Sequence, residues 1–362
     1  MNLIDQALPY VRKISPYVPG KPITELAREM GLPVDSIVKL ASNENPLGMS
    51  PKARAAVESA VGGIERYPDQ FELIAALAER LGVGQNQVVL GNGSNDVLDL
   101  AARVFLAPGR SSVFSQHAFA VYPLATLSAG AECLVAPAKH YGHDLAAMQA
   151  AIRADTRLVW IANPNNPTGN FLPYPELRAF LQAVPADVAV VLDEAYNEYL
   201  APADRADTVA WIAEFPNLIV TRTFSKIYGL AGLRVGYAVA STEVADLMNR
   251  VRQPFNVNNL AIAAACAALD DHLFIAESYE LNRRGMEQIV AGLKRLGLEH
   301  IPSHGNFVTF AVSDGAAVNQ KLLQQGVIVR PIGGYGLPNH LRVTIGLETE
   351  NARFLAALEK SL

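Results

Sequence analysis

From residue 70 to 240, short apolar runs alternate with helix-length segments, and this alternation restricts the fold more than any other feature of the chain. Gln87–Leu90, Ser112–Phe114, Leu158–Ala162, Val188–Leu192 and Leu218–Thr221 carry apolar residues at successive positions and end in polar or glycine residues. Strands that are apolar on both faces must be covered on both faces. The segments between them, Asp96–Phe105 and Pro175–Val184 among them, have helical length. The pattern predicts an α/β unit, a largely parallel sheet covered by helices on both faces, with ligands held at the carboxyl ends of the strands.

A chain of 362 residues exceeds the size at which a single core usually stops growing, so two domains are expected. Past Met248 the pattern changes to long helical stretches (Asn259–Leu269, Leu281–Leu296), two strand-like pieces (Phe307–Ala311, Leu341–Ile345) and a closing helix (Glu350–Leu362). The expected division is an N-terminal arm (1–40) that belongs with the small domain and covers the site, a large domain (41–248) and a small α+β domain (249–362). Pro9, Pro16, Pro19, Pro22 and Pro33 make the arm an extended segment in this reading.

Composition excludes several classes of function. A net charge of −5 gives no basic footprint for nucleic acid. The longest apolar run, Leu260–Leu269, is half a membrane span, so no membrane partner is expected. The N-terminus lacks a basic start followed by an apolar stretch, so no signal peptide is expected. Cys133 and Cys266 form no CxxC pair and read as two reduced, buried thiols of a cytoplasmic protein.

Lys226 carries the strongest chemical signal. It lies in Thr-Arg-Thr-Phe-Ser-Lys-Ile-Tyr-Gly-Leu-Ala-Gly-Leu-Arg-Val-Gly (221–236), among small and hydroxyl residues. A lysine that bonds an aldehyde needs a crowded, partly dry loop, because only its neutral amine is a nucleophile. Thr223, Ser225 and Arg234 supply groups that hold a phosphate beside it. A carbonyl cofactor that carries a phosphate is pyridoxal 5′-phosphate (PLP). The same string also suits a plain surface loop.

Other sets stand just after apolar runs. Asp193 ends Val188–Leu192 and suits either a pyridine-nitrogen partner or a helix N-cap, with Tyr196 at the helical start that follows. Asn163-Pro-Asn-Asn-Pro-Thr-Gly169 is a turn by composition, but its doubled Asn-Pro favours a shaped loop in which Asn166 donates to a phenolate oxygen. Gly91-Asn-Gly-Ser-Asn-Asp96 joins strand to helix and suits either a tight turn or an anion site made with Ser94, yet it is neither GxGxxG nor a Walker loop. Phe119 suits a core position or a stack on a planar ring, and Arg330 and Arg342 suit ion pairs or bidentate anion contacts. His140 and His143 have no third ligand and read as solvated, so no metal is expected. On these residues alone, a non-covalent nucleotide-binding module using the Gly91–Asp96 turn stays open beside a PLP enzyme.

The joint order of the sets resembles fold type I PLP-dependent enzymes of the aspartate aminotransferase superfamily, over essentially the whole chain, which implies an α/β large domain with a mostly parallel sheet of the seven-stranded type sandwiched by helices, plus a smaller α+β domain. Ser15–Pro22, Lys39-Leu-Ala-Ser-Asn-Glu-Asn-Pro46, Arg66-Tyr-Pro-Asp69, Gly229–Arg234, Val329–Tyr335 and Leu341–Gly346 are most similar to the histidinol-phosphate aminotransferase branch. The resemblance implies transamination of histidinol phosphate with 2-oxoglutarate, giving glutamate; the alternatives within the fold are an aromatic amino-acid aminotransferase and a threonine-phosphate decarboxylase. It implies that Lys226 holds PLP as a Schiff base and moves the substrate proton. Asp193 would pair with the ring nitrogen, Asn166 and Tyr196 would bind the phenolic oxygen, and Phe119 would stack on the ring. Gly93, Ser94, Asn95, Thr223, Ser225 and Arg234 would hold the phosphate, joined by Tyr67 acting across a homodimer with composite sites. Arg342 and Arg330 would take the substrate carboxylate or phosphate, and Tyr17 and Asn43 would close the site.

Overall fold

The computed structural model describes residues 2–362. The chain enters through a two-residue strand, β1 (Val38–Lys39), and then builds one seven-stranded sheet. Its strands are β2 (Val88–Gly91), β3 (Ser111–Ser115), β4 (Glu132–Ala136), β5 (Thr156–Ala162), β6 (Ala189–Asp193), β7 (Leu218–Thr223) and β8 (Gly236–Val239). The spatial order is β2-β8-β7-β6-β5-β3-β4. Pairings from β7 across to β4 are parallel, and β8 runs antiparallel to both β7 and β2.

The pleat explains why these strands read as unbroken apolar runs. Val159, Ile161, Val190, Leu192 and Val220 enter the core on one face, and Leu158, Trp160, Val191 and Ile219 enter the core on the other. Because β2 and the parallel strands point the same way, their carboxyl ends and the start of β8 meet along one edge. That edge positions the site.

A second sheet joins β9 (His300–Ile301), β10 (Phe307–Ala311), β12 (Arg330–Pro331) and β13 (His340–Thr344) in the antiparallel order β12-β13-β10-β9. Phe310, Leu341, Val343, Phe354 and Leu358 form its core. Between β10 and β12, β11 (Val327–Ile328) pairs in parallel with β1, which stitches the entry segment to the C-terminal part.

Two expectations change. The segment before residue 40 is not simply extended: Ile23–Met30 is a helix, entered at Pro22 and stopped by Gly31 in the left-handed region. Its prolines punctuate the segment, and Leu26 and Ala27 pack with Leu323 and Ile328. The helix expected over Leu281–Leu296 starts at His272, where Asp271 caps it, and ends at Arg295. The helix Asn259–Leu269 packs Ala261, Ala264, Ala265 and Ala268 into the core of the large sheet.

Among the described residues, no single helix is long and apolar enough to cross a membrane. Cys133 and Cys266 are free and half-buried rather than buried, and burial pushes both thiols up to about 11. His143 is buried rather than solvated: Nε2 donates to the Ala162 carbonyl at 2.9 Å, and burial pushes the ring down to about 4. A buried imidazole without a carboxylate beside it stays neutral. His140 is exposed, as expected. No group of three or more His, Cys, Asp or Glu residues able to hold a metal occurs among the described residues.

Candidate active site

One cavity of about 380 Å³ opens between the edge of the large sheet and the small sheet. Asp193, the last residue of β6, forms its floor and is buried. The Asp193 carboxylate accepts hydrogen bonds from Tyr122 Oη at 2.8 Å and Thr221 Oγ1 at 3.3 Å. Burial pushes the acid up to about 6, against those hydrogen bonds. Asp193 caps no α-helix: a turn follows, and Tyr196 precedes the short 3₁₀ segment Asn197–Tyr199. The neighbouring Glu194 faces away into a buried pair with Arg222 at 2.8 Å.

Lys226 follows β7, and its Nζ donates to the carbonyl of Ser42 at 3.1 Å. Burial first, and then the Arg342 guanidinium, push the amine down to about 8. At neutral pH far more of it is therefore in the nucleophilic form than of an exposed lysine. The ring of Tyr196 lies 5.7 Å from Nζ. Burial pushes its phenol up to about 12, opposed by Arg342 and by a hydrogen bond from Asn43.

The anion end lies where the helix Ser94–Phe105 begins. Gly93 precedes it with φ +82°, and a Cβ there would stand 2.2 Å from Arg234 Nη2, so only glycine lets the guanidinium sit against this turn. Arg234 Nη1 reaches Ser225 Oγ at 3.4 Å, and the Ser225 amide donates to Thr223 Oγ1 at 3.1 Å. Free helix-start amides, two hydroxyls and a guanidinium together suit a phosphate.

The opposite wall belongs to the small sheet. Register places Arg330 of β12 directly opposite Arg342 of β13. Cross-strand partners share a face, and like charges so placed repel. Arg342 is buried, donating to Asn166 Oδ1 at 2.5 Å and to the Ala41 carbonyl at 2.8 Å, with Nε unpartnered. Arg330 donates to the Val18 carbonyl at 2.7 Å and to Tyr17 Oη at 3.3 Å, which brings the N-terminal segment over the opening.

Of the residues singled out by sequence, Tyr17, Asn43, Ser94, Asn95, Phe119, Asn166, Asp193, Tyr196, Thr223, Ser225, Lys226, Arg234, Arg330 and Arg342 line this cavity. Gly93 stands behind its wall, against Arg234. Tyr67 does not line it: 80% exposed, it stacks on Phe255 with ring centroids 4.5 Å apart. Sequence reasoning missed Tyr122, whose ring stacks on Trp160 at 5.1 Å and whose hydroxyl holds Asp193. Its position three residues after Phe119 was the available signal. The Ser42 carbonyl and Tyr335 were also missed, the first because a backbone contact leaves no trace in residue type.

The sequence pattern of the family "Aminotransferase class I and II" matches residues 35–358. Histidinol-phosphate aminotransferase 1 of Dechloromonas aromatica (strain RCB) is 82% identical over 362 residues, all of both chains. Histidinol-phosphate aminotransferase 2 of Nitrosospira multiformis is 60% identical, over 100% of this chain and 93% of that one. The crystal structure of histidinol-phosphate aminotransferase from Sinorhizobium meliloti, in complex with pyridoxal 5′-phosphate, superposes with a TM-score of 0.90 at 29% identity, over 98% of this chain and 96% of that one.

Proposed function

The chain belongs to the class I and II aminotransferase family, with the fold type I architecture, and we propose that it transfers the amino group of L-histidinol phosphate to 2-oxoglutarate, giving imidazole acetol phosphate and L-glutamate in histidine biosynthesis. One observation carries this reading: a single cavity joins an amine of depressed pKa, a buried carboxylate and two register-paired arginines.

The residues fit pyridoxal 5′-phosphate. Asp193 is a buried carboxylate held by two hydroxyls and the Ala195 backbone, with no ion pair, and a protonated ring nitrogen would give it a cationic partner. Asn166 and Tyr196 would hold the phenolic oxygen, and Phe119 would stack on the ring. Ser94, Asn95, Thr223, Ser225 and Arg234, with the turn at Gly93, would hold the phosphate, and Lys226 would be the point of attachment. When bound, the cofactor supplies an electron sink for the substrate's α-carbon.

The chain's own groups do the rest. Lys226 Nζ would take the substrate's α-proton and give it back later in the transfer. Asp193 would stay charged to face the ring nitrogen. Arg342 and Arg330 bind the phosphate of one substrate and the carboxylates of the other, which resolves their mutual repulsion. Tyr17 and Asn43 would line the entrance from the N-terminal segment. The unit we propose is a cytoplasmic homodimer in which the exposed Tyr67 of each copy reaches the cofactor phosphate of the other.

The bound cofactor absorbs visible light. Wild-type protein should show that band, and Lys226→Ala should lose both band and transamination; a colourless, active wild type overturns the assignment. Mixing Lys226→Ala with a Tyr67→Ala protein should restore part of the activity, because hybrid dimers contain one intact site. No recovery on mixing rejects composite sites.

A further inference from the structure

Asn43 was expected at the substrate; it lines the cavity, and its side chain bonds both Tyr196 and Thr344. It is 1% exposed and sits at φ +55°, in the left-handed region. Its backbone N–H donates to Thr344 Oγ1 at 2.9 Å. Thr344 Oγ1 lies 3.2 Å from Asn43 Oδ1, and Asn43 Nδ2 lies 2.9 Å from Tyr196 Oη. The carbonyl of Asn43 accepts from Asn306 Nδ2 at 3.0 Å, so the backbone is held on both sides.

The chemistry of these groups gives the chain of bonds one direction. A backbone N–H can only donate, so the Thr344 hydroxyl accepts from it and keeps its own proton to give. That proton goes to Asn43 Oδ1, the oxygen facing Thr344, and the atom facing Tyr196 is the amide nitrogen. Tyr196 Oη accepts, and its proton has no taker within this network. Tyr196 lines the cavity, so that proton is available there.

We infer that Asn43 and Thr344 form a directed hydrogen-bond relay that orients the phenol of Tyr196 and fixes it as a donor into the cavity. Asn43 is then a positioning residue. The relay also joins three parts of the fold: the segment after β1, strand β13 and the turn after β6. Thr344 stands two residues beyond Arg342 on β13, so movement of the small sheet that carries the anion-binding arginine also acts on the tyrosine. The charged and titratable groups facing Tyr196 are Arg342 from β13, Asp193 from β6, Lys226 after β7, Tyr335 before β13, Tyr122 from the helix after β3 and Tyr199 from the turn after β6. None of them supplies what the relay does, an uncharged donor to the phenol oxygen.

This inference rests on the PLP reading, and its test separates the two. In the holoenzyme, the pH midpoint of the visible band reports the hydrogen bonds made to the cofactor's phenolic oxygen. A donor there stabilises the deprotonated form, so losing it raises the midpoint. Asn43→Ala should raise it by about half to one pH unit, the worth of one ordinary hydrogen bond. Asn43→Asp should raise it further, because a carboxylate facing Tyr196 takes the phenol proton for itself. Thr344→Val should act like Asn43→Ala, and Thr344→Ser should keep the wild-type midpoint. In a Tyr196→Phe background the Asn43 and Thr344 variants should add no further shift. If Asn43→Ala does not retain cofactor, Thr344→Val reads the same quantity. A wild-type midpoint in both, or an equal shift with Tyr196→Phe present, overturns the relay. A wild-type protein with no Lys226-dependent band overturns the PLP reading instead.

Discussion

The wall built by the large sheet presents Asp193, Thr223, Ser225 and Lys226 from successive strand ends, whereas the wall built by the small sheet presents Arg330 and Arg342 from two adjacent strands. On the first wall the charges are mixed and satisfied locally: hydroxyls hold Asp193, and the Ser42 carbonyl accepts from Lys226. On the second, two like charges face each other across the ladder, and Arg342 Nε has no partner. In the proposed function, the first wall would keep the bound cofactor and the second would take the anionic groups of two unlike substrates in turn.

Breaking the first wall should cost the most. On the proposed roles, Lys226→Ala removes both the attachment point and the proton carrier, and kcat should fall at least about 10⁴-fold in steady-state assays. Retention of a tenth of the activity would make the two walls equivalent. On the second wall, Arg342→Lys keeps the charge but loses the fork, so kcat/KM should fall about 10- to 100-fold for both substrates, mostly through KM. Arg330→Ala should cost less, about 3- to 10-fold in KM, because this guanidinium is less buried. A larger loss at Arg330 than at Arg342 would reverse their order of importance.

The smallest effect concerns stability. In cofactor-free protein, burial holds the folded-state pKa of Lys226 at about 8, below the ordinary lysine value of 10.5. Between these values the unfolded chain binds a proton that the folded chain has released, so this group's contribution to stability improves as pH rises from 8 to 10.5. Below about 8 its full cost is present. Lys226→Met should therefore raise the melting temperature of cofactor-free protein at neutral pH by about 2 °C or more. The gain should shrink toward pH 10, and a gain independent of pH would place its origin in packing.

The first wall was legible in the sequence because each of its residues follows an apolar run, and a parallel sheet brings such ends together. Asp193 after Val188–Leu192 and Lys226 after β7 needed only that rule. The second wall was legible as residue types but not as geometry: nothing local states that Arg330 pairs with Arg342, since register depends on how β12 and β13 meet. Contacts of the longest sequence separation were the least legible. Asn43 reaches Thr344, 301 residues away, and its role with Tyr196 depends on that meeting. His143 was misjudged because burial of a lone imidazole depends on the loops that close over it.

The most direct test of this account is a comparison of kcat/KM for histidinol phosphate, phenylalanine and threonine phosphate, each with 2-oxoglutarate as acceptor. A cavity with two facing arginines and room for a ring should favour histidinol phosphate over phenylalanine by at least about tenfold. A preference for phenylalanine, or release of carbon dioxide from threonine phosphate as the faster reaction, would contradict it.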